Sequence, residues 1–148
     1  MFSQDLDFVR KQEKFYRDLL NNLSDGVYFT DLHRRITFWN KGAERLTGYS
    51  QEEVLGRRCS DNILVHVDHA GRNLCVSECP LDDCMGKCVT HEAEIFLHHK
   101  EGHRVPVIVR VSPIQDDTGK VIGAVEIFSN NSAKIQLETR LRRFVFLI

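Results

Sequence analysis

Residues 23–56 decide the fold of this chain, and they read LSDGVYFTDLHRRITFWNKGAERLTGYSQEEVLG. Two short runs near the start of this stretch, 27–30 and 36–39, are rich in β-branched and aromatic residues. Residues 31–34, Asp-Leu-His-Arg, separate them, and strand-forming runs on both sides of such a turn predict a β-hairpin. The fold is therefore expected to begin with two antiparallel strands.

The second half of the same stretch carries the signals of two short helices. Asn40 can cap the first helix and Gly48 can end it, because an Asn side chain accepts a hydrogen bond from an early helical amide and glycine adopts the left-handed conformation. Ser50 and Glu53 form a capping box, in which each side chain bonds the backbone amide of the other residue. The predicted order is strand, strand, helix, helix.

Three more strands are predicted on the C-terminal side, at 92–99, 104–112 and 121–128. The first two alternate along their length, the third is almost wholly apolar, and polar turns with glycine join them. Between 59 and 90 the apolar periodicity is poor, which favours loops and short helices. The sequence thus predicts an α+β fold in which one five-stranded antiparallel sheet carries short helices on one face.

Amphipathic helices are predicted at both ends of the chain. They divide it into an N-terminal helix, 1–23, a core, 24–131, and a C-terminal helix, 132–148. Each helix has an apolar stripe that a lone domain would expose in part, so we expect a homodimer through the flanking helices. The alternative is that each helix folds onto its own sheet. The stripes are Phe8, Phe15, Leu19 and Leu23 in the first helix and Leu137, Leu141, Phe144 and Ile148 in the last.

The composition is that of an ordinary globular domain. The 148 residues are 42% hydrophobic and 28% charged, with a formal net charge of −1. These values exclude a disordered chain, and because there is no basic surplus we expect no nucleic-acid partner. No contact with a membrane is expected, since the longest apolar run, 144–148, is far shorter than the ~20 residues that cross a bilayer. The start at Met1 lacks the pattern of a secretory signal, so a cytoplasmic location is expected.

Several stretches, in their order along the chain, resemble the PAS family of sensor domains over roughly residues 15–135. The resemblance implies a PAS fold and a sensor that is not itself an enzyme. In it the sheet and short helices hold a ligand, and the flanking helices pass a signal to an effector. Because the resemblance is to bacterial PAS domains that precede diguanylate cyclase (GGDEF) or histidine kinase output domains, a C-terminal effector domain is expected. The stretches are Leu23–Val27, Ile36–Glu44, Leu46–Ser50, Glu52–Gly56 and the G-x-x-V-P-V pattern of Gly102–Val107.

The junction between the last strand and the last helix departs from the family pattern. Many PAS domains carry Asp-Ile-Thr there, whereas residues 129–132 of this chain are Ser-Asn-Asn-Ser. Asn130 can still cap the helix. The resemblance assigns Asn130 and Ser132 to the signal relay.

Five cysteines stand out, because four of them lie between Cys75 and Cys88. In a reducing compartment such a cluster indicates metal or redox chemistry more than disulfides. Pro80 is expected to start a helix and Gly86 to end it, which places Cys79 at an N-terminal edge where the helix dipole favours a thiolate. Cys84 and Cys88 are expected to lie outside the site. The predicted metal or redox site consists of Cys59, His66, Cys75 and Cys79.

The sequence leaves the identity of the ligand open. A metal ion or an iron–sulfur cluster is one interpretation of the cysteines, a thiol switch is another, and small buried core residues are a third. Haem would need an axial histidine, for which His66 or His69 is available. A flavin is not expected, because Arg58 and Ile63 replace the asparagine and glutamine that light-sensing relatives place around the position of Cys59.

Two other functions compete with a sensor. One is a structural dimerisation domain without a ligand, which needs only the two flanking helices and the core. The other is a thiol- or zinc-dependent enzyme. The chain has no Cys-x-x-Cys beside a βαβ pattern, no His-Glu-x-x-His and no Gly-x-Ser-x-Gly, so its motifs do not favour an enzyme. No catalytic residue is therefore assigned.

Overall fold

A computed structural model of the chain describes residues 2–59, 61, 63–74 and 79–147. These residues form the five predicted strands, with helices before, between and after them. In chain order the elements are α1 (Phe2–Asn21), β1 (Gly26–Asp31), β2 (Ile36–Trp39), α2 (Lys41–Thr47), α3 (Gln51–Val54), α4 (Pro80–Lys87), β3 (His91–His98), β4 (Arg104–Gln115), β5 (Val121–Asn130) and α5 (Ser132–Leu147).

The N-terminal hairpin forms as predicted. β1 pairs with β2 in antiparallel register, with Tyr28 opposite Trp39 and Phe29 opposite Phe38. The rings of the first pair lie 5.5 Å apart and those of the second 5.0 Å. Because neighbouring side chains of a strand point to opposite faces, one aromatic pair lies on each face of the hairpin.

Both predicted helix caps are present. The Asn40 side chain accepts a hydrogen bond from the Ala43 amide at 2.8 Å, and Gly48 ends α2 in the left-handed conformation. Ser50 and Glu53 form the capping box at the start of α3. Local side-chain signals therefore determine where α2 and α3 begin.

The strands form one antiparallel sheet in the order β2-β1-β5-β4-β3, which confirms the predicted α+β architecture. The alternation predicted for β4 is also confirmed, because every second residue from Val105 to Val111 is buried against the short helices. We call this side of the sheet its inner face. β5 is the central strand, so its inward side chains lie at the middle of the core. The buried residues of β4 are Val105, Val107, Val109 and Val111.

Several boundaries differ from the prediction. β4 runs to Gln115 and β5 to Asn130, because the pairing between these strands continues beyond their predicted ends. α4 ends at Lys87 and not at Gly86, because Cys88 adopts the left-handed conformation, with φ at 54°, and closes the helix. A residue other than glycine thus provides the left-handed position that ends α4.

The flanking helices expose their apolar stripes. In α1 Phe8 and Phe15 are about 60% exposed, and in α5 Leu137 and Phe144 are exposed to the same degree. Ile148, the last residue of the predicted stripe, lies outside the described residues. In the part of the chain that the structure describes, no helix combines the length and apolarity needed to cross a membrane.

Candidate functional site

Three polar side chains meet in the core, at the inner face of the sheet. Tyr28 in β1 and Glu126 in β5 are partners in the strand register, and His66 approaches Glu126 from the segment between α3 and α4. Tyr28 and Glu126 are fully buried, and His66 is 2% exposed. Charged and polar groups are rarely buried to this extent unless they are paired. We call Tyr28, His66 and Glu126 the core polar cluster.

The core polar cluster is short of hydrogen bonds. His66 Nε2 lies 3.6 Å from Glu126 Oε2, which is too long for a hydrogen bond. Within the described ranges the Tyr28 hydroxyl, His66 Nε2 and both Glu126 carboxylate oxygens are buried, and none of them has a hydrogen-bond partner in good geometry. The hydroxyl of Thr30, two residues along β1 from Tyr28, is in the same condition. The side chains of Tyr28 and Glu126 nevertheless interact with each other across the strand pair. Each buried polar group that lacks a good hydrogen bond costs about 1–3 kcal/mol, so the core polar cluster lowers the stability of the core unless these groups find further partners.

Burial sets the protonation states of this cluster. It raises the pKa of Glu126, and the facing His66 opposes this rise. Burial also raises the pKa of Tyr28 well above its usual range, and the nearby Glu126 carboxylate adds to the rise. The Tyr28 hydroxyl therefore stays neutral and can donate a hydrogen bond, while Glu126 holds its proton more tightly than a carboxyl group in water.

The raised pKa of Glu126 predicts that stability depends on pH. The folded protein binds this proton more tightly than the unfolded chain does. The wild type should therefore lose stability as the pH rises from the ordinary value of 4.5 through the raised folded-state pKa. Glu126→Gln has no titrating carboxyl group at this position. As the pH rises across this window, the free energy of unfolding of Glu126→Gln should therefore increase relative to that of the wild type. Urea unfolding at several values between about pH 4 and pH 8 measures the difference.

Glu92→Gln is the matched control for this experiment, because Glu92 is exposed in β3. Its free energy of unfolding should run parallel to that of the wild type. For Glu126→Gln the gap should widen by about 1.4 kcal/mol for each unit by which folding raises the pKa. Parallel curves for Glu126→Gln and the wild type would contradict a raised pKa at this carboxyl group.

The predicted cysteine and histidine site is described only in part. Cys59 is buried in the core, His66 belongs to the core polar cluster, and Cys79 is half-buried directly before α4. Cys75 lies outside the described residues. Cys59, His66 and Cys79 do not by themselves bring three ligand atoms within 4.8 Å of one another, a condition that the described residues meet elsewhere. The site of four residues therefore stays a prediction.

Cys79 lies beside a positive charge. Arg34, in the turn between β1 and β2, makes a hydrogen bond to Cys79 that raises the pKa of the guanidinium group. Arg34 Nε also lies 3.6 Å from Asp82 Oδ1 in the first turn of α4. Cys84 is fully buried, and burial raises the pKa of its thiol. The two cysteines therefore differ in environment, with Cys79 next to a cation and Cys84 in the apolar core.

The predicted relay residues lie where β5 meets α5. The Asn130 side chain accepts a hydrogen bond from the amide of Ser132, the first residue of α5, at 2.8 Å. The residue directly before the helix is Asn131, so the capping role of Asn130 stays a prediction. Asn131 is buried, and its amide donates a hydrogen bond to the Pro106 carbonyl at 2.8 Å. The first turn of α5 is thus fixed to both β4 and β5.

Most of the core polar cluster is not predicted from the sequence. The sequence predicts His66 as a metal or haem ligand, but it does not predict Tyr28, Glu126 or the neighbouring Thr30 as site residues. The available signal was Glu126 itself, an acidic residue within the otherwise apolar run 121–128. A carboxyl group in a strand that is buried on one face needs a partner or a raised pKa, and either property indicates a site.

Known proteins resemble this chain over most of its length. A family model described as a PAS domain matches residues 24–133. The signal transduction histidine-protein kinase AtoS of Escherichia coli (strain K12) is 26% identical over 126 residues, which are 83% of this chain and 19% of AtoS. The probable diguanylate cyclase DgcE of the same organism is 24% identical over 111 residues, 75% of this chain and 10% of DgcE. The chain thus spans a fifth or less of the length of these relatives.

Solved structures share the fold. A PAS domain from Colwellia psychrerythraea superposes with a TM-score of 0.65 at 25% identity, over 82% of this chain and 96% of that domain. An RNA-binding light-oxygen-voltage receptor superposes with a TM-score of 0.72 at 18% identity, over 90% of this chain and 37% of the receptor. The second likeness concerns the fold alone.

Proposed function

Because this chain belongs to the PAS domain family, we propose that it senses a small polar molecule at the core polar cluster and relays its binding through α1 and α5. A PAS domain is a sensory module without catalytic activity of its own, and the curated relatives of this chain are a kinase and a cyclase. The proposal therefore concerns what is sensed and how the signal leaves the domain.

The unsatisfied atoms of the core polar cluster are the observation that supports ligand binding. Hydrophobic residues of the sheet and short helices surround them, so bulk water cannot supply the missing hydrogen bonds. Without a ligand the domain would lose stability from these buried polar atoms, whereas an apolar residue in place of Glu126 would remove that loss. Retaining a carboxyl group at the middle of the sheet is therefore favoured when a bound molecule uses it.

The chemistry of the guest follows from the atoms that face it. The Glu126 carboxyl group accepts hydrogen bonds, and the Tyr28 hydroxyl both donates and accepts them. A small molecule with a hydroxyl group or an amine nitrogen satisfies both residues. An ordered water molecule is the smallest guest of this kind, and a test must separate it from an organic ligand.

Native mass spectrometry of the chain, purified from the cells that express it, tests the proposal. The wild type should carry a non-covalent mass larger than water that denaturation releases. Glu126→Leu, which removes both acceptor oxygens, should lose this mass, whereas the exposed control Glu92→Leu should keep it. An identical mass in wild type and Glu126→Leu would overturn the proposal. A second result would also overturn it. In that result the wild type carries no bound mass, and no added amine, amino acid or polyol raises the melting temperature of the wild type more than that of Glu126→Leu.

The exposed stripes of α1 and α5 support the proposal of a homodimer. Because each leucine that becomes buried contributes about 1.5–3 kcal/mol, the double variant Leu137→Ser/Leu141→Ser should weaken the dimer at least ~100-fold in Kd. Sedimentation velocity over a range of concentrations measures the change. Gln136→Ser/Arg140→Ser, at exposed positions beside the stripe, is the matched control. A wild type that is monomeric throughout, or a leucine variant that dimerises equally well, would contradict the dimer.

We place the output of this sensor in a C-terminal effector domain of the kinase or cyclase class. The family of the chain and its two curated relatives support this placement, and the bond between Asn130 and Ser132 gives α5 a fixed start from which a movement of β5 can be passed on. The cytoplasmic location stays a prediction.

A metal or redox site at Cys59, His66, Cys75 and Cys79 is the second candidate function. The position of Arg34 beside Cys79 supports this candidate. Metal analysis and visible absorption of protein purified without oxygen provide the test. A stoichiometric metal or a visible band that Cys79→Ser removes would support the site. The absence of both, with dimerisation unchanged by oxidation, would exclude it.

A further inference from the structure

We propose that the hairpin between β3 and β4 binds a divalent transition-metal ion of the zinc class through His99, Glu101 and His103. One ligand atom of each of these residues lies within 4.8 Å of the other two, and they are the described residues that meet this condition. This site is separate from the core polar cluster and from the predicted cysteine site.

The backbone holds the three residues at the tip of a tight turn. The His99 amide donates a hydrogen bond to the His103 carbonyl at 2.9 Å, and the Gly102 amide donates one to the His99 carbonyl at 2.8 Å. The turn is also fixed to the helices, because the Lys100 amide bonds the Thr47 carbonyl at 2.8 Å. The entropic cost of bringing the three ligands together has therefore been met largely by folding.

The donor set matches a zinc-class ion. Two imidazole nitrogens and one carboxylate oxygen are a common set of three protein ligands for Zn²⁺, with the remaining position taken by water. Burial, followed by the neighbouring His103, lowers the pKa of His99.

The side chains need only local rotation to reach an ion. The rings of His99 and His103 are stacked, with centroids 4.2 Å apart and planes at 18°, and a metal must lie near the plane of each ring that it binds. The ligand atoms of a tetrahedral site with bonds of about 2.1 Å are roughly 3.4 Å apart. One ring therefore has to turn out of the stack. His103 is the freer of the two, because His99 Nδ1 accepts a hydrogen bond from the Glu101 amide at 3.0 Å. Glu101 and His103 are exposed and can make this movement.

The proposed metal site lies next to a cleft and close to the start of α5. A cleft of about 270 Å³ adjoins the two histidines and extends to Asn130 and Ser132, where α5 begins, and the cationic side chains of Arg45 and Arg104 also line it. Water or a small anion can fill the open coordination position from this cleft. A bound ion would thus lie beside the start of the C-terminal helix.

Titration of the full chain with Co²⁺, followed by visible absorption and then by displacement with Zn²⁺, tests the site. The wild type should bind one ion at this position with a spectrum of nitrogen and oxygen ligation, whereas cobalt bound to cysteine adds a strong thiolate charge-transfer band. His103→Ala and Glu101→Gln change exposed residues, so the fold should persist. Each should weaken this binding by at least about tenfold, because even the loss of an outer-sphere partner costs 10–100-fold in metal affinity. The control His33→Ala, another exposed turn histidine, should bind like the wild type.

Two results would overturn the metal site. One is a wild type that shows no saturable nitrogen and oxygen ligation of Co²⁺. The other is binding that keeps the same affinity in His103→Ala, with circular dichroism showing that the variant is folded. Either result would leave the proposal for the core polar cluster untouched, because no residue is shared between the two sites.

Discussion

Gly42→Ala is expected to destabilise the domain by about 3 kcal/mol, the upper part of the range for overpacking. Gly42 lies in α2 against the chain that links α1 to β1. A Cβ atom at this position would lie 2.0 Å from the Asp25 carbonyl oxygen and 3.1 Å from that of Leu23. Both atoms belong to the backbone, so the whole linker would have to move. Urea unfolding followed by circular dichroism measures the loss.

Gly86→Ala is the matched control, because Gly86 is also helical but a Cβ atom there meets nothing within 4 Å. Alanine favours helix by up to about 1 kcal/mol over glycine, so this variant should be as stable as the wild type or more stable. Equal effects of the two substitutions would contradict the close contact between α2 and the linker.

Asn40→Ala is expected to cost about 2–4 kcal/mol, from the loss of a helix cap and of buried hydrogen bonds. The fully buried Asn40 accepts hydrogen bonds from the Val27 and Ala43 amides at 2.9 and 2.8 Å. Its Nδ2 donates to the Leu20 carbonyl at 2.7 Å and to the Asp25 carbonyl at 3.1 Å. A single side chain thus joins the end of α1, the start of β1 and the start of α2.

The loss should also loosen α1 from the core, which hydrogen exchange of the amides near Leu20 can detect. Asn21→Ala is the matched control, because Asn21 accepts one exposed hydrogen bond, from the Lys41 amide at 3.0 Å. It should cost about 1 kcal/mol or less. If Asn40→Ala were no more harmful than Asn21→Ala, Asn40 could not be the residue that connects α1 to the sheet.

Much of the fold can be predicted because its signals are local. The hairpin of β1 and β2, the Asn40 cap and the capping box of Ser50 and Glu53 each depend on residues close together in the chain, and the structure contains all three. The alternating valines of β4 likewise indicate which face is buried. The resemblance to PAS domains rests on these same stretches.

The candidate sites are harder to predict because they depend on contacts between distant segments. Glu126 becomes a core residue only when β5 is the central strand and Tyr28 is its register partner. His99 and His103 look like ordinary surface histidines in the sequence, and only the closure of their turn brings them together with Glu101. The end of α4 differs from the prediction for another reason, since Cys88 adopts a conformation usual for glycine.

A high-resolution crystal structure of the chain, purified from the cells that express it, tests the central claim most directly. The claim is that the core polar cluster binds a small polar ligand. It predicts non-protein density larger than water, within about 3 Å of the Glu126 carboxyl group and the Tyr28 hydroxyl. A structure in which Tyr28, His66 and Glu126 bond one another directly, with no density between them, would contradict the claim.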